Sequence, residues 1–115
     1  MLTRQQILNG MAQCHCTENY WKNDLLTFKY TDGVKFLWIS CEAYWLLTAI
    51  SSYGRKEPFQ VWELEVNEDK SALLTMQEDT GEPYLVRQEI EYTDFPLTET
   101  KLYLIDGILL LPSEY

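Results

Sequence analysis

The sequence predicts an α+β domain in which N-terminal helices pack on one face of a C-terminal antiparallel β-meander of about five strands. Apolar residues recur at helical spacing in the first half of the chain and at every second position from Phe59 onward, where turn signals separate the segments. The 115 residues suffice for one domain with one core. We therefore expect a single domain over 1–115, with a helical part at about 1–54 and a sheet part at about 58–113.

The first segment, TRQQILNGMAQ, has the pattern of a short amphipathic helix. Thr3 can act as its N-cap, and Ile7, Leu8 and Met11 lie at helical spacing. The following CHCTENYWKND has no clear period and is interpreted as a connection.

A longer helix is predicted over Val34–Ile50, where apolar residues follow the i, i+3, i+4, i+7 spacing. Thr31 or Asp32 can cap it. We predict that this helix is broken near Ser40 and ends before Gly54. Its wide apolar stripe is typical of a helix that covers a sheet.

The preceding LLTFKY predicts a strand with its alternate apolar residues, Leu26, Phe28 and Tyr30, on one face. The Asp32-Gly33 pair that follows it is also a two-residue hairpin signal. A hairpin over Tyr30–Trp38 is therefore the alternative to the start of the long helix.

The second half of the chain predicts strands at FQVWELEV, SALLTMQ, LVRQEIEY, TKLYLI and ILLLP. In FQVWELEV, Trp62 and Leu64 lie on the core face, and Glu63 and Glu65 lie on the opposite face. In LVRQEIEY the core face is expected to hold Val86, Ile90 and Tyr92. The last two strands are joined by Asp106-Gly107, a strong hairpin signal.

The net charge of −9 is concentrated in one part of the chain. Residues 57–99 hold twelve acids and two bases, and the remainder holds six acids and seven bases. Such a charge disfavours direct binding to nucleic acid and favours a basic protein partner. We expect the partner to contact an acidic sheet face formed by Glu63, Glu65, Glu89 and Glu91.

Carboxylates repeated on neighbouring strands can imitate the charge of a nucleic-acid backbone. The hypothesis is a small non-enzymatic binding protein that inhibits a nucleic-acid-binding protein, either a host defence protein (CRISPR or restriction) or a DNA-processing protein. Plain solubility is the competing explanation of the same acidic face.

Two alternatives come from the apolar residues. Tyr44, Trp45, Tyr92 and Tyr103 could line a cleft between helix and sheet, as in a small-molecule-binding protein or an enzyme, with the polar groups Asp32, Cys41 and Glu42 nearby. Aromatic residues at helical spacing more often form a core. The terminal strand Ile108–Leu111 could join two copies into a homodimer or larger oligomer.

Metal and covalent chemistry are weakly indicated. Cys14, His15, Cys16 and Cys41 could in principle bind zinc, but a C-x-C pair with one distant cysteine fits no standard zinc arrangement. No P-loop, dinucleotide-binding turn or nucleophile elbow occurs. We expect no cofactor, no metal and no catalytic residue.

The odd number of cysteines argues against a disulfide framework, and residues 1–11 do not have the apolar core of a secretory signal. No apolar run approaches the length of a membrane span. A cytoplasmic protein without membrane contact is therefore expected.

Six blocks, TENYW, YTDGVKFL, AYWLLTAI, FQVWELEV, EIEYTDFPL and LYLIDGILLLPSEY, together cover nearly the whole chain. In their order and spacing they resemble a family of small uncharacterised bacterial proteins that is known only as a domain of unknown function. The Cys-His-Cys cluster is not part of the pattern. The resemblance implies an accessory protein of a phage or other mobile element, and it implies no activity, cofactor or catalytic residue.

Overall fold

The computed structural model describes residues 3–12, 20–22, 26–54 and 56–115. Within these residues the chain forms three α-helices, seven β-strands and a final 3₁₀ turn. In chain order they are α1 (Arg4–Ala12), β1 (Tyr20–Trp21), β2 (Lys29–Thr31), α2 (Asp32–Ser40), α3 (Tyr44–Ser52), β3 (Phe59–Val66), β4 (Ala72–Gln77), β5 (Tyr84–Ile90), β6 (Glu99–Ile105), β7 (Ile108–Leu110) and the turn Pro112–Glu114.

All seven strands belong to one sheet with the order β1-β2-β7-β6-β3-β4-β5. The β2–β7 pair is parallel, and every other pair is antiparallel. The α+β class is confirmed, but the sheet has seven strands rather than about five. Two of them, β1 and β2, come from the N-terminal half that was predicted to be mainly helical.

The strand order also differs from that of a meander. After β5 the chain passes along one end of the sheet, and β6 pairs with β3 instead of β5. The four strands β3 to β6 therefore have the spatial order of a Greek key. Phe95 and Leu97 in the connection are 2% and 3% exposed, so the apolar core holds this segment against the sheet end.

The first helix confirms the predicted cap. The backbone N–H of Gln6 donates to the Thr3 hydroxyl oxygen at 3.2 Å, and the Thr3 N–H donates to the Gln6 side-chain oxygen at 2.9 Å. This reciprocal pair is a capping box, which satisfies two backbone donors at the helix start. Only Ile7 of α1 is fully buried in the core.

The segment after Tyr30 is helical, and the hairpin alternative is wrong. Thr31 caps α2, because its hydroxyl oxygen accepts the Val34 backbone N–H at 3.3 Å. The predicted break near Ser40 is confirmed: α2 ends there, Glu42 has φ 52° in the left-handed region, and α3 begins at Tyr44. Thr31 is both the last residue of β2 and the N-cap of α2, so the chain passes directly from strand to helix. Asp32-Gly33 therefore begins a helix and does not form a hairpin turn.

Within the described residues from Leu26 onward, the predicted strand LLTFKY pairs with its neighbours at Lys29–Thr31 alone, so it is shorter than expected there. Leu26, Phe28 and Tyr30 are all buried, which agrees with the predicted apolar face. The short β2 is enough to bring the N-terminal half against β7.

The helices cover one face of the sheet, which we call the covered face, and the opposite face is called the open face. Buried side chains from both layers fill the core, among them Leu37, Leu46, Leu47, Trp62, Leu64, Leu74, Met76 and Leu102. The aromatic and aliphatic stripe of α2 and α3 is therefore mainly core. Within the described ranges, no helix is long and apolar enough to cross a membrane.

The predicted Asp106-Gly107 hairpin is confirmed, with φ values of 49° and 82° that fit a type I′ turn. It places β7 between β2 and β6, inside the sheet. Leu109 and Leu111 are 0% and 1% exposed. The Ile108–Leu111 segment therefore has no free edge through which two copies could pair, contrary to that alternative.

Candidate binding surface

The open face carries a row of carboxylates at one end of the sheet. The strand register places Glu99 of β6 directly opposite Glu65 of β3, and Glu65 opposite Leu73 of β4, which lies opposite Glu89 of β5. We call Glu65, Glu89 and Glu99 the acidic row. Directly opposite residues have Cβ atoms about 5 Å apart, and the two-strand step to Glu89 is about 10 Å.

All three side chains of the acidic row are exposed, and no base lies in the same row. Like charges directly opposite each other on neighbouring strands destabilise a sheet. The Glu65–Glu99 pair is therefore a feature that the stability of the fold does not explain.

Further acids lie close to this end of the sheet. Glu68 and Asp69 lie in the turn between β3 and β4, and Glu91 directly follows β5. The Asp69 carboxylate accepts the Ser71 hydroxyl at 2.6 Å and the Ser71 backbone N–H at 3.0 Å. These hydrogen bonds lower the pKa of Asp69 and keep it ionised.

The neighbouring row on the open face is mixed in charge. It contains Lys101, Glu63, Thr75 and Arg87 in consecutive strands. Glu63 lies 3.8 Å from the Lys101 ammonium, and its side chain is 15% exposed. Glu63 is thus a partly buried, paired acid, unlike the residues of the acidic row.

The four predicted acidic residues are therefore divided. Glu65, Glu89 and Glu91 are exposed at the acidic end, whereas Glu63 is paired with Lys101. Glu89 and Glu91 also line, with Arg87, a cavity of about 310 Å³ beside the β3–β4 turn. Glu99 was not among the predicted residues, because its place in the row depends on β6 lying beside β3.

The other half of the open face is aromatic. Phe59, Tyr103 and Tyr115 form a cluster with ring centroids 5.5 to 6.0 Å apart. Tyr103 therefore faces away from the helices, and Tyr115 is 77% exposed. The open face combines an acidic end with a half-buried aromatic cluster whose exposed member is Tyr115.

The four residues of the proposed aromatic cleft do not lie together. Tyr103 is on the open face, whereas Tyr44 packs edge-on against Trp38 in the helical layer at 5.0 Å. Trp45 and Tyr92 line the same cavity of about 310 Å³, but Tyr92 is 70% exposed and does not join the core face as expected. The strand ends at Ile90, so the alternation no longer applies at Tyr92.

The polar groups assigned to that cleft are also separated. The Asp32 carboxylate accepts the Trp21 indole N–H at 2.7 Å, and Glu42 is exposed at the break between α2 and α3. Cys41 is 1% exposed, and burial raises the pKa of its thiol to about 11. Cys41 is therefore protonated at neutral pH, which makes it a poor nucleophile or metal ligand.

Cys14, His15 and Cys16 lie outside the described residues. Among the residues that are described, no group of three or more His, Cys, Asp and Glu side chains could hold a metal ion.

One protein-family model spans both the sheet and the helical layer of this chain. The model of a family of unknown function, DUF6876, matches residues 5–115. The chain belongs to this family. The resemblance of the sequence blocks to a family of unknown function is therefore confirmed, and DUF6876 carries no assigned activity. No curated protein and no solved structure matches this DUF6876 chain significantly.

Proposed function

We propose that the protein is a non-catalytic binding protein whose acidic row contacts a basic surface of a protein partner. The observation that carries this proposal is the Glu65–Glu99 pair, two exposed carboxylates placed directly opposite each other with Glu89 in the same row. A partner that supplies positive charge there relieves a repulsion that the free protein bears.

The geometry of the acidic row favours binding of a protein partner. Its three carboxylates stand on three strands of one sheet, so their spacing is set by the backbone and changes little on binding. The aromatic cluster of Phe59, Tyr103 and Tyr115 lies on the same face. Aromatic residues are enriched at protein interfaces, and Tyr115 supplies an exposed one on this face.

The more specific form of the proposal is that the partner is a nucleic-acid-binding protein, and that the acidic row occupies its phosphate-binding site. The excess of ten acids over residues 57–99 supports this form. An inhibitor of a host defence or DNA-processing protein, encoded by a phage or mobile element and acting in the cytoplasm, fits such mimicry. The mixed row of Lys101, Glu63 and Arg87 limits the imitation to one end of the sheet.

The non-catalytic part of the proposal rests on the groups available for chemistry. The Cys41 thiol is buried with a raised pKa. The carboxylates of the acidic row are exposed, and the cavity that Glu89 lines also holds Arg87 and Glu91. General acid–base chemistry usually needs a carboxylate in an enclosed or apolar environment.

The experiment is an affinity capture from native host lysate with two matched double variants. Glu65→Lys/Glu99→Lys reverses the acidic row, and Glu78→Lys/Glu82→Lys makes the same change of net charge in the β4–β5 turn at the other end of the sheet. We expect the row variant to lose a partner that the wild type and the control both capture. Raised salt should weaken the same capture.

The captured protein is then purified and bound to the wild type in the presence of a DNA or RNA duplex. Competition by the duplex supports the nucleic-acid-mimic form. Binding without competition restricts the proposal to a basic partner of another kind. Equal capture by the row variant and the control would remove the acidic row from the function.

A further inference from the structure

Strand β5 (Tyr84–Ile90) forms one edge of the sheet and pairs only with β4 among the described strands. Its outer side therefore presents backbone N–H and C=O groups that can pair with another strand. The opposite edge is β1, of which the structure describes two residues. Of the two edges as described, β5, with seven residues, is the longer.

The side chains of β5 are self-complementary about Gln88. Arg87 and Glu89 project on the open face, and Val86 and Ile90 project on the covered face. In an antiparallel pair of two copies centred on Gln88, each Arg87 lies directly opposite Glu89 of the second copy. Each Val86 then lies opposite Ile90 of the second copy, next to the apolar core.

We propose that β5 pairs antiparallel with β5 of a second copy of this chain, with Gln88 on the twofold axis. The two sheets then form one continuous sheet, with the helical layers of both copies on the same side. An isologous contact of this kind uses the same patch on both copies and closes the assembly at a dimer.

The charges select this register over its neighbours. A pair centred on Arg87 would place two guanidinium groups opposite each other, and a pair centred on Glu89 would oppose two carboxylates. Both shifts also replace the Val86–Ile90 contacts with contacts to Gln88. Charged residues on an edge strand often prevent pairing, but here the two charges have opposite sign and match in one register.

The ends of the strand are consistent with such a contact. The register of β4 and β5 shifts at Met76/Gln77, which leaves Val86–Ile90 as a regular segment. Three apolar side chains flank that segment, with Tyr84 58%, Leu85 38% and Tyr92 70% exposed. In the antiparallel pair, Tyr84 and Leu85 of one copy approach Tyr92 of the other.

The side-chain amide of Gln88, which lies on the proposed twofold axis, is held in one orientation within each copy. Its side-chain oxygen accepts the Tyr53 hydroxyl at 2.6 Å, which holds the amide on the covered face. The amide NH₂ of each copy can then donate to the amide oxygen of the other. A contact of five regular residues is smaller than a standard interface of roughly 1,600 Å², so we expect a dimer that dissociates on dilution.

The test is sedimentation velocity over a wide range of protein concentration, with charge variants of β5. We expect the wild type to shift from monomer to dimer as the concentration rises. Arg87→Glu gives a strand with two acids, and Glu89→Arg gives a strand with two bases, so each variant alone should remain monomeric. An equimolar mixture of the two should form a heterodimer, and Arg87→Glu/Glu89→Arg in one chain should restore the homodimer.

Both residues are exposed, so circular dichroism should confirm that the variants keep the fold. The matched control is Glu65→Arg, a charge reversal on the same face but two strands away from the edge. A wild type that stays monomeric at all concentrations overturns the proposal. A dimer that persists in both single variants, or that is lost equally in the control, also overturns it. Glu89 also belongs to the acidic row, but sedimentation of the purified protein involves no basic partner, so failure of the dimer proposal is distinguishable from failure of the proposed function.

Discussion

The Glu114 carboxylate accepts the hydroxyl of Thr31 at 2.7 Å, although the two residues are 83 positions apart in the chain. Glu114 also accepts the backbone N–H of Gly33 at 3.3 Å and that of Leu111 at 2.9 Å. The C-terminal turn thereby binds the first turn of α2, where a negative charge also interacts favourably with the helix dipole. The turn Pro112–Glu114 is therefore a structural part of the helical layer.

Glu114→Ala is therefore expected to lower the free energy of unfolding by about 1–3 kcal/mol, because buried donors lose a charged acceptor. The measurement is urea unfolding followed by tryptophan fluorescence. Glu68→Ala, an exposed acid in the β3–β4 turn, is the control and should change stability by no more than about 0.5 kcal/mol. Equal effects of the two variants would mean that the Glu114 hydrogen bonds contribute nothing.

In contrast to Glu114, replacing Glu99 of the acidic row is expected to increase the stability of the fold. Glu99→Lys replaces the like-charge pair with Glu65 by an ion pair, so it should raise the free energy of unfolding by about 0.2–1 kcal/mol. The same substitution at Glu63 places a second ammonium beside Lys101 and should lower it. Thermal unfolding of both variants at low and raised salt measures the two effects.

The two variants change the net charge equally, so a general reduction of repulsion moves both in the same direction. A rise for Glu99→Lys and a fall for Glu63→Lys therefore come from the local surroundings of each position, which are the pairing at Glu99 and both the pairing and the partial burial at Glu63. If both variants are stabilised by the same amount, the cross-strand repulsion in the acidic row is negligible, and the main argument for a partner is lost.

Part of this site could be predicted from the sequence, because it depends on local signals. The strand β3 has the predicted bounds Phe59–Val66, because a period of two and flanking turn residues are local signals. Glu65 and Glu89 were correctly expected on an exposed sheet face for the same reason. The hairpin at Asp106-Gly107 is equally local.

The features that the sequence did not predict depend on pairing between strands that are distant in the chain. That β6 lies beside β3 follows from packing of the connection through Phe95 and Leu97, and no short pattern encodes it. Glu99, the Glu63–Lys101 pair and the position of Tyr103 on the open face all depend on this one arrangement. The parallel contact of β2 with β7 likewise joins two distant segments.

Burial of Cys41 predicts a defined pH dependence. Its pKa is raised from 9.0 to about 11 in the folded chain, so folding favours the protonated thiol. Well below pH 9 the thiol is protonated in both states, and its contribution to stability is constant. As the pH rises towards about 11, the unfolded chain loses the proton first, so stability falls.

The measurement is the free energy of unfolding against pH for the wild type and Cys41→Ala. The wild type should lose more stability over this alkaline range than the variant. In a Cys14→Ser/Cys16→Ser background, the remaining thiol should react slowly with a thiol reagent at neutral pH and rapidly after denaturation. Fast reaction of the folded chain would contradict the burial of Cys41.

The helical layer contains two buried polar groups whose hydrogen-bonding capacity is not satisfied within the described chain. The Tyr44 hydroxyl and the Trp38 indole N–H are both shielded from solvent and have no hydrogen-bond partner in the described chain. Burial, with a contribution from the nearby Tyr30, raises the pKa of Tyr44. The hydroxyl therefore loses its hydration on folding without a replacement bond.

Tyr44→Phe removes this hydroxyl and keeps the ring contact with Trp38. It should leave the free energy of unfolding unchanged or raise it by up to about 1 kcal/mol. Tyr53→Phe is the matched control: its hydroxyl donates to Gln88 at 2.6 Å, so the variant should lose about 0.5–1.5 kcal/mol. Urea unfolding of both variants gives the comparison. A loss at Tyr44 as large as that at Tyr53 would mean that the Tyr44 hydroxyl has a bound partner in solution, and it would direct attention back to the helical layer as a ligand site.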